Sequence, residues 1–252
     1  MKNKSIEKGK AYALSANSKL ASRDFSQMMG WASKIYALLK QYESWFCSDV
    51  VFRRLKKKLL ELYATDHLHT VGNRQMCAGD VALLKKWRVN NYSQWSAYLN
   101  IKPLLHVDPK VGKVVLALND MVLEKGKLVP RASAAAMRFY LLFLNEENGM
   151  SSSMVIDELI IPVGGKQEAL EASFNFEPMV HGVLLLLGVC QLHLLDKRGY
   201  DSFASQDKRY YWANIMETVA IREGVVVSYE KKDVLPMEVM KVPKVGWVKR
   251  SS

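Results

Sequence analysis

The chain has 252 residues, of which 49% are apolar and 24% charged, with a formal net charge of +11. That length and apolar content fill one large core or two small ones and exclude wholesale disorder. Its cysteines, Cys47, Cys77 and Cys190, are odd in number and far apart, which excludes a disulfide framework and suits a reducing compartment.

The charge is unevenly placed. Residues 1–60 hold thirteen Lys/Arg against four Asp/Glu, whereas residues 131–200 hold five against eight. A basic amino-terminal layer on a more neutral body points to a polyanion or an acidic surface as partner. Residues 1–22 lack the apolar run of a secretory signal. The longest apolar stretch, residues 183–195, is interrupted by Gln191 and His193 and is too short to cross a bilayer. The expectation is a cytoplasmic protein without a membrane span.

Residues 1–21 are small, polar and basic, the composition of a mobile arm. From about Ser22 the apolar period is helical: Met28, Trp31, Ile35, Leu38, Leu39, Tyr42 and Trp45 form one stripe, with Ser22 or Asp24 as N-cap. Ser48 and Asp49 offer a second cap. Val51, Phe52, Leu55, Leu59, Leu62 and Tyr63 then repeat the spacing, with Arg53, Arg54, Lys56, Lys57 and Lys58 between them. Two such helices on a short link predict a basic antiparallel hairpin, closed by a Gly- and Asn-containing loop over residues 65–80.

Beyond about residue 90 the segments shorten and become rich in β-branched, Leu and aromatic residues. Strands are expected over 95–101, 113–119, 137–144, 154–163, 169–176, 183–194, 210–221 and 225–229, separated by Asp-Pro, Asn-Gly, Gly-Gly and Glu-Gly turn signals. Residues 183–189 are continuously apolar, as in a central strand covered on both faces, although a buried helix has the same signature. Many short strands at this spacing favour an antiparallel β-sandwich over residues 92–230. The tail, residues 231–252, is basic and contains prolines, which predicts an extended segment.

Several segments taken in order carry a resemblance. They are residues 66–74 (Asp-His-Leu-His-Thr-Val-Gly-Asn-Arg), 83–90 (Leu-Leu-Lys-Lys-Trp-Arg-Val-Asn), 134–141 (Ala-Ala-Ala-Met-Arg-Phe-Tyr-Leu) and 187–192 (Leu-Gly-Val-Cys-Gln-Leu). Over roughly residues 46–222 the chain resembles a family of uncharacterised Bacteroidetes proteins. That resemblance implies a helical amino-terminal part followed by an immunoglobulin- or fibronectin-like sandwich. It implies no activity and no functional residues, and Met137-Arg138 stand where the family commonly has a histidine.

The candidate chemistry is electrostatic. Arg53, Arg54, Lys56, Lys57 and Lys58 place five cations in six positions with no interleaved acid, a pattern that fits phosphate contact. Trp45, Phe46 and Tyr63 lie near enough to stack on bases. A solvated helix face is the ordinary explanation of such a run. Gly72-Asn73 permits a left-handed bend that presents Arg74 to an anion, and the plainer alternative pairs Arg74 with Asp66 or Asp80.

Other chemistry finds little support. His67, His69 and Cys77, or Cys190 with His193, lack the paired close spacing of a zinc site. Cys47 precedes a helix, where a thiol is activated, but a buried small hydrophobe is the commoner role. Gly164-Gly165-Lys166 lacks the upstream glycine and following hydroxyl of a phosphate loop. No cofactor or metal is expected, and no nucleophile or paired carboxylates suggest an enzyme.

The sequence therefore predicts an α+β protein, a basic helical hairpin followed by a β-sandwich. Its expected role is a non-enzymatic structural or interaction module that contacts an acidic protein partner or a second copy of itself. The alternative is a sequence-independent nucleic-acid-binding protein.

Overall fold

Ser15 starts the first helix, its hydroxyl accepting from Ser18 N–H at 3.2 Å, and helix α1 runs Ala16–Tyr42. The computed structural model describes residues 14–44, 47–90, 101–124 and 128–230. The start at Ala16 places residues 16–21 of the expected arm in the helix and corrects the expected caps Ser22 and Asp24, while residues 1–13 of that arm lie outside the described residues. The extra turns have a packing reason, because Leu20 lies against Gly72, where a Cβ would meet Leu20 Cδ2 at 2.6 Å. Met28, Trp31, Ile35 and Leu39 form the buried stripe as expected, joined by Ala32.

Ser48 caps the second helix, α2 (Asp49–Ala64), by accepting from Val51 N–H. Val51, Leu55, Leu59, Leu62 and Tyr63 face the core that α2 shares with α1. Two 3₁₀ segments follow, Met76–Ala78 and Val81–Lys86, the second capped by Asp80.

Eleven strands follow among the described residues: β1 (Leu104–Asp108), β2 (Lys113–Leu118), β3 (Met121–Val122), β4 (Ala132–Asn145), β5 (Ser151–Pro162), β6 (Lys166–Gln167), β7 (Leu170–Asn175), β8 (Gly182–Leu195), β9 (Ser202–Ala204), β10 (Tyr211–Arg222) and β11 (Val225–Val227). All their pairings are antiparallel. The large sheet has the order β11-β10-β8-β4-β5, with β9 added beside β8; the small sheet is β1-β2-β7, and β3 pairs with β6.

Strands β4 and β8 lie at the centre, and their side chains alternate between two cores. Tyr140, Leu142, Leu144, Val183, Leu185 and Leu187 face the helices. Phe139, Leu141, Phe143, Leu184 and Leu186 face the small sheet. Burial on both faces accounts for the unbroken apolar run at 183–189, which is a strand rather than a helix. The protein is thus α+β, with helices on one face of the large sheet and a second sheet on the other.

β1 is absent from the expectation because His106 and Asp108 dilute its strand signal; its register is set by the turn that follows. There Gly112 has φ +73°, and a Cβ on it would lie 2.1 Å from Phe176 O. Residues 95–100 of the strand expected over 95–101, the aromatic pair Trp45 and Phe46, and the tail 231–252 lie outside the described residues, and Ile101 is not in a strand.

Candidate functional site: a basic cleft beside the first helix

The cations of α2 do not share one face. Arg53 and Lys57, one turn apart, are exposed on the outer side, with Arg53 donating to Asp49 O at 3.3 Å. Arg54 donates to Val89 O at 2.8 Å and so braces the segment that follows the second 3₁₀ segment. Lys58 pairs with Glu61 at 2.5 Å, and Lys56 sits 4.9 Å from the Phe52 ring centroid on the opposite flank. The run thus divides between bracing and solvent. Five cations in six positions are spread around a helix that turns about 100° per residue.

Arg74 is placed differently. Its loop is held by Asp24, a buried acid inside α1 that accepts from Gly72 N–H at 2.8 Å and Arg74 N–H at 3.1 Å. The Arg74 guanidinium therefore lies beside Asp24 (Nε to Oδ2 4.0 Å) rather than beside Asp66 or Asp80. Arg74 Nε is buried without a hydrogen-bond acceptor among the described residues. Gly72 has φ +96°, so the bend is of the kind expected from Gly72-Asn73.

Asp66 organises the rest of the loop. It accepts from Leu68, His69 and Gln75 N–H and from the His69 ring, at 2.8–3.2 Å. Burial pushes this carboxyl upward, but the hydrogen bonds outweigh burial and hold its pKa below the ordinary range. A depressed carboxyl stabilises the fold above its unfolded pKa of about 3.9, and that contribution is lost as pH falls through the folded value. Asp66→Ala should therefore lower the urea midpoint at pH 7 and shrink the difference between pH 7 and pH 3. An unchanged pH difference would show that Asp66 carries no such linkage.

Between α1 and this loop lies an open cleft of about 370 Å³. Helix α1 supplies Arg23, Gln27, Gly30 and Lys34 at one- and two-turn intervals along a single face, flanking the buried stripe. The loop supplies Asn73, Arg74 and Gln75, and the β4–β5 turn supplies Glu146 and Gly149. Lys34 stands 4.4 Å from the Trp31 ring centroid and donates to Gly149 O. Arg23 is exposed and pairs with no carboxylate among the described residues.

Glu146 lies at the base of the cleft. Its two oxygens accept from Met76 N–H (2.7 Å) and Cys77 N–H (2.8 Å), and burial raises its pKa. Both oxygens thus tether the 3₁₀ turn, and the cations lining the cleft are Arg23, Lys34 and Arg74.

Gly30 is the informative residue on the helix. Glycine inside a helix costs about 0.5–1 kcal/mol relative to alanine, and a Cβ at Gly30 would meet nothing within 4 Å. Packing does not require the glycine; its effect is an open wall between Gln27 and Lys34. Gly30→Ala should raise stability by about 0.5–1 kcal/mol in a urea titration while weakening any ligand that fills the cleft. A destabilised Gly30→Ala protein would contradict this reading.

The remaining candidates resolve simply. Burial raises the pKa of Cys47 and outweighs the nearby Lys40, so the thiol is not activated; burial does the same to Cys77 and Cys190. Lys166, after the Gly164-Gly165 turn, pairs with Asp120 at 2.7 Å. Among the described residues no three of His, Cys, Asp and Glu converge as a metal site. No described helix is long and apolar enough to cross a membrane.

No protein-family model and no curated protein matches the chain. Several solved structures share faint similarity with it. The putative ApaA protein from Bordetella pertussis is 10% identical over 47% of this chain and 91% of that one, with a TM-score of 0.23. The superoxide reductase (neelaredoxin) from Ignicoccus hospitalis is 11% identical over 51% and 82%, with a TM-score of 0.26. Likenesses of this grade assign neither fold nor activity.

Proposed function

We propose that the protein is a non-enzymatic interaction module of the cytoplasm that holds an acidic group of a protein partner in the cleft beside α1. The observation that carries this reading is the convergence of Arg23, Lys34 and Arg74 on one open cleft, with Arg74 Nε lacking an acceptor. A carboxylate entering there gains charge-assisted hydrogen bonds, with the amides of Gln27, Asn73 and Gln75 as further partners. The immunoglobulin- or fibronectin-like reading of the two sheets, the hairpin reading of the helices and the kinship with the Bacteroidetes family belong to the same proposal. Two sheets sharing one core support the first of these.

The nucleic-acid reading rests on Arg53 and Lys57, which remain exposed on the outer face of α2. Titration of labelled polyglutamate and labelled single-stranded RNA across a salt series separates the two. The interaction module predicts salt-sensitive polyglutamate binding that Gly30→Ala weakens. RNA binding that Gly30→Ala leaves unchanged, with no polyglutamate binding, would favour the nucleic-acid reading instead.

A further inference from the structure

The two sheets are unequal in width, and the mismatch leaves one flank of the sandwich open. β1 lies over β10 and β11, while at the other side Phe176, just after β7, stacks on Phe143 of β4 at 4.9 Å. The small sheet therefore ends at β7, over β4, and among the described residues no further strand pairs beyond β7 to extend it over the middle of β5. The register shows what this exposes. Met154, Ile156, Leu159 and Ile161 pair with Leu141, Phe139, Met137 and Ala135, all members of the core between the sheets. Ile161 is fully buried, but Met154, Ile156 and Leu159 are covered only in part.

A groove of about 290 Å³ follows this overhang and reaches core residues Leu116 and Leu118, which are 2% and 5% exposed. Leu170, Ala172 and Phe174 of β7 form its other wall. Among the described residues, the charged ones lining it are Asp157 and Glu171. The two edges beside the groove differ. β5 bulges where Asp157 and Glu158 together oppose Arg138, which interrupts a continuous ladder. β7 pairs residue for residue with β2 from Leu170 to Asn175, and its outer edge is unpaired among the described residues.

We propose that the groove accepts an extended strand from a partner protein, added to the outer edge of β7. A strand there lies one interstrand spacing, about 4.8 Å, beyond β7 and so directly above β5. Its inward side chains, at alternate positions, are apolar and cover Ile156 and Leu159. Its outward side chains are basic and meet Glu171, with Asp157 at the lip. Backbone hydrogen bonds supply the pairing, and the alternating pattern supplies the selectivity. This surface lies on the opposite face of the large sheet from the cleft and does not depend on it.

The test uses the full chain and a synthetic peptide of alternating valine and lysine, with alternating valine and glutamate as its counterpart. The Val/Lys peptide should bind and slow hydrogen exchange of the β7 amides, residues 170–175. Glu171→Lys, a surface change that leaves the core intact, should weaken it about fivefold, the effect of a cross-strand charge pair of about 1 kcal/mol. Equal binding of the Val/Glu peptide, or protection that spares β7, would overturn the proposal. So would concentration-dependent protection of β7 without peptide, because the occupant would then be a second copy of this chain.

Discussion

Replacing Arg138 by methionine is expected to lower stability by about 3 kcal/mol, a fall of roughly 10 °C in Tm for a chain of this size. Glu43, at the carboxyl end of α1, is only 2% exposed. Arg138 on β4 holds it through Nε at 2.9 Å and Nη2 at 3.3 Å, and the Tyr140 hydroxyl donates to it at 2.7 Å. Removing the guanidinium leaves a buried carboxylate with only the neutral hydroxyls of Tyr140 and Tyr211 beside it and no cation, so the desolvation of that charge is largely uncompensated. The partly exposed pair Arg138–Glu158 adds little to this effect. Replacing both members, Glu43→Leu with Arg138→Met, should recover most of the loss, because an apolar pair in the same space has no charge to desolvate. Thermal melts of the single and double variants read this directly. A double variant no more stable than Arg138→Met would mean that the damage comes from packing rather than from the orphaned charge.

Asp24→Ala is expected to cost about 2 kcal/mol and to abolish anion binding in the cleft. Losing a carboxylate that serves two backbone donors costs about 2–3 kcal/mol, and the better helix propensity of alanine returns about 0.6 kcal/mol of it. The functional effect follows from the same two contacts, because Asp24 sets both the Gly72 bend and the position of Arg74. Hydrogen exchange at Gly72 and Arg74 should accelerate first, and affinity for polyglutamate should fall by at least about tenfold. Asp24→Asn keeps one acceptor oxygen and should lie between the two. Unchanged exchange at Gly72 and Arg74 would contradict the role given to Asp24.

These residues show why the fold was more legible than the site. Helical spacing from Met28 to Tyr42 and from Val51 to Tyr63 reports local burial, and the structure places both segments accordingly. The same holds for β4, β5, β7, β8 and β10, whose apolar patterns follow from the faces they cover. β9 is short and exposed and leaves no pattern to read, while in β1 only Leu105 and Val107 pack on the core, too few to stand out beside His106 and Asp108.

The cleft is a different matter. The Gly72-Asn73-Arg74 segment signals its bend, but its anchor is Asp24, about fifty positions earlier, and no local pattern records that contact. Asp24 reads as a helix cap because acids inside a buried stripe are rare. Arg23, Gln27, Gly30 and Lys34 do share a face by spacing alone, and a glycine among them is a signal that could have been weighed. The basic run of α2, the strongest charge signal, proved ambiguous because charge density along the sequence does not say which way each side chain points.

The cleft, and not the basic run of α2, is the proposed meeting point with an acidic partner. The measurement that tests it most directly is the salt-dependent affinity of labelled polyglutamate for three proteins. They are the unaltered chain, the variant Arg23→Gln/Lys34→Gln/Arg74→Gln, and the variant Arg53→Gln/Lys57→Gln. The expected result is that the cleft variant loses binding and its salt slope, while the α2 variant keeps both to within about twofold. Loss of binding in the α2 variant with the cleft variant unaffected would move the site to the outer face of α2 and contradict the claim.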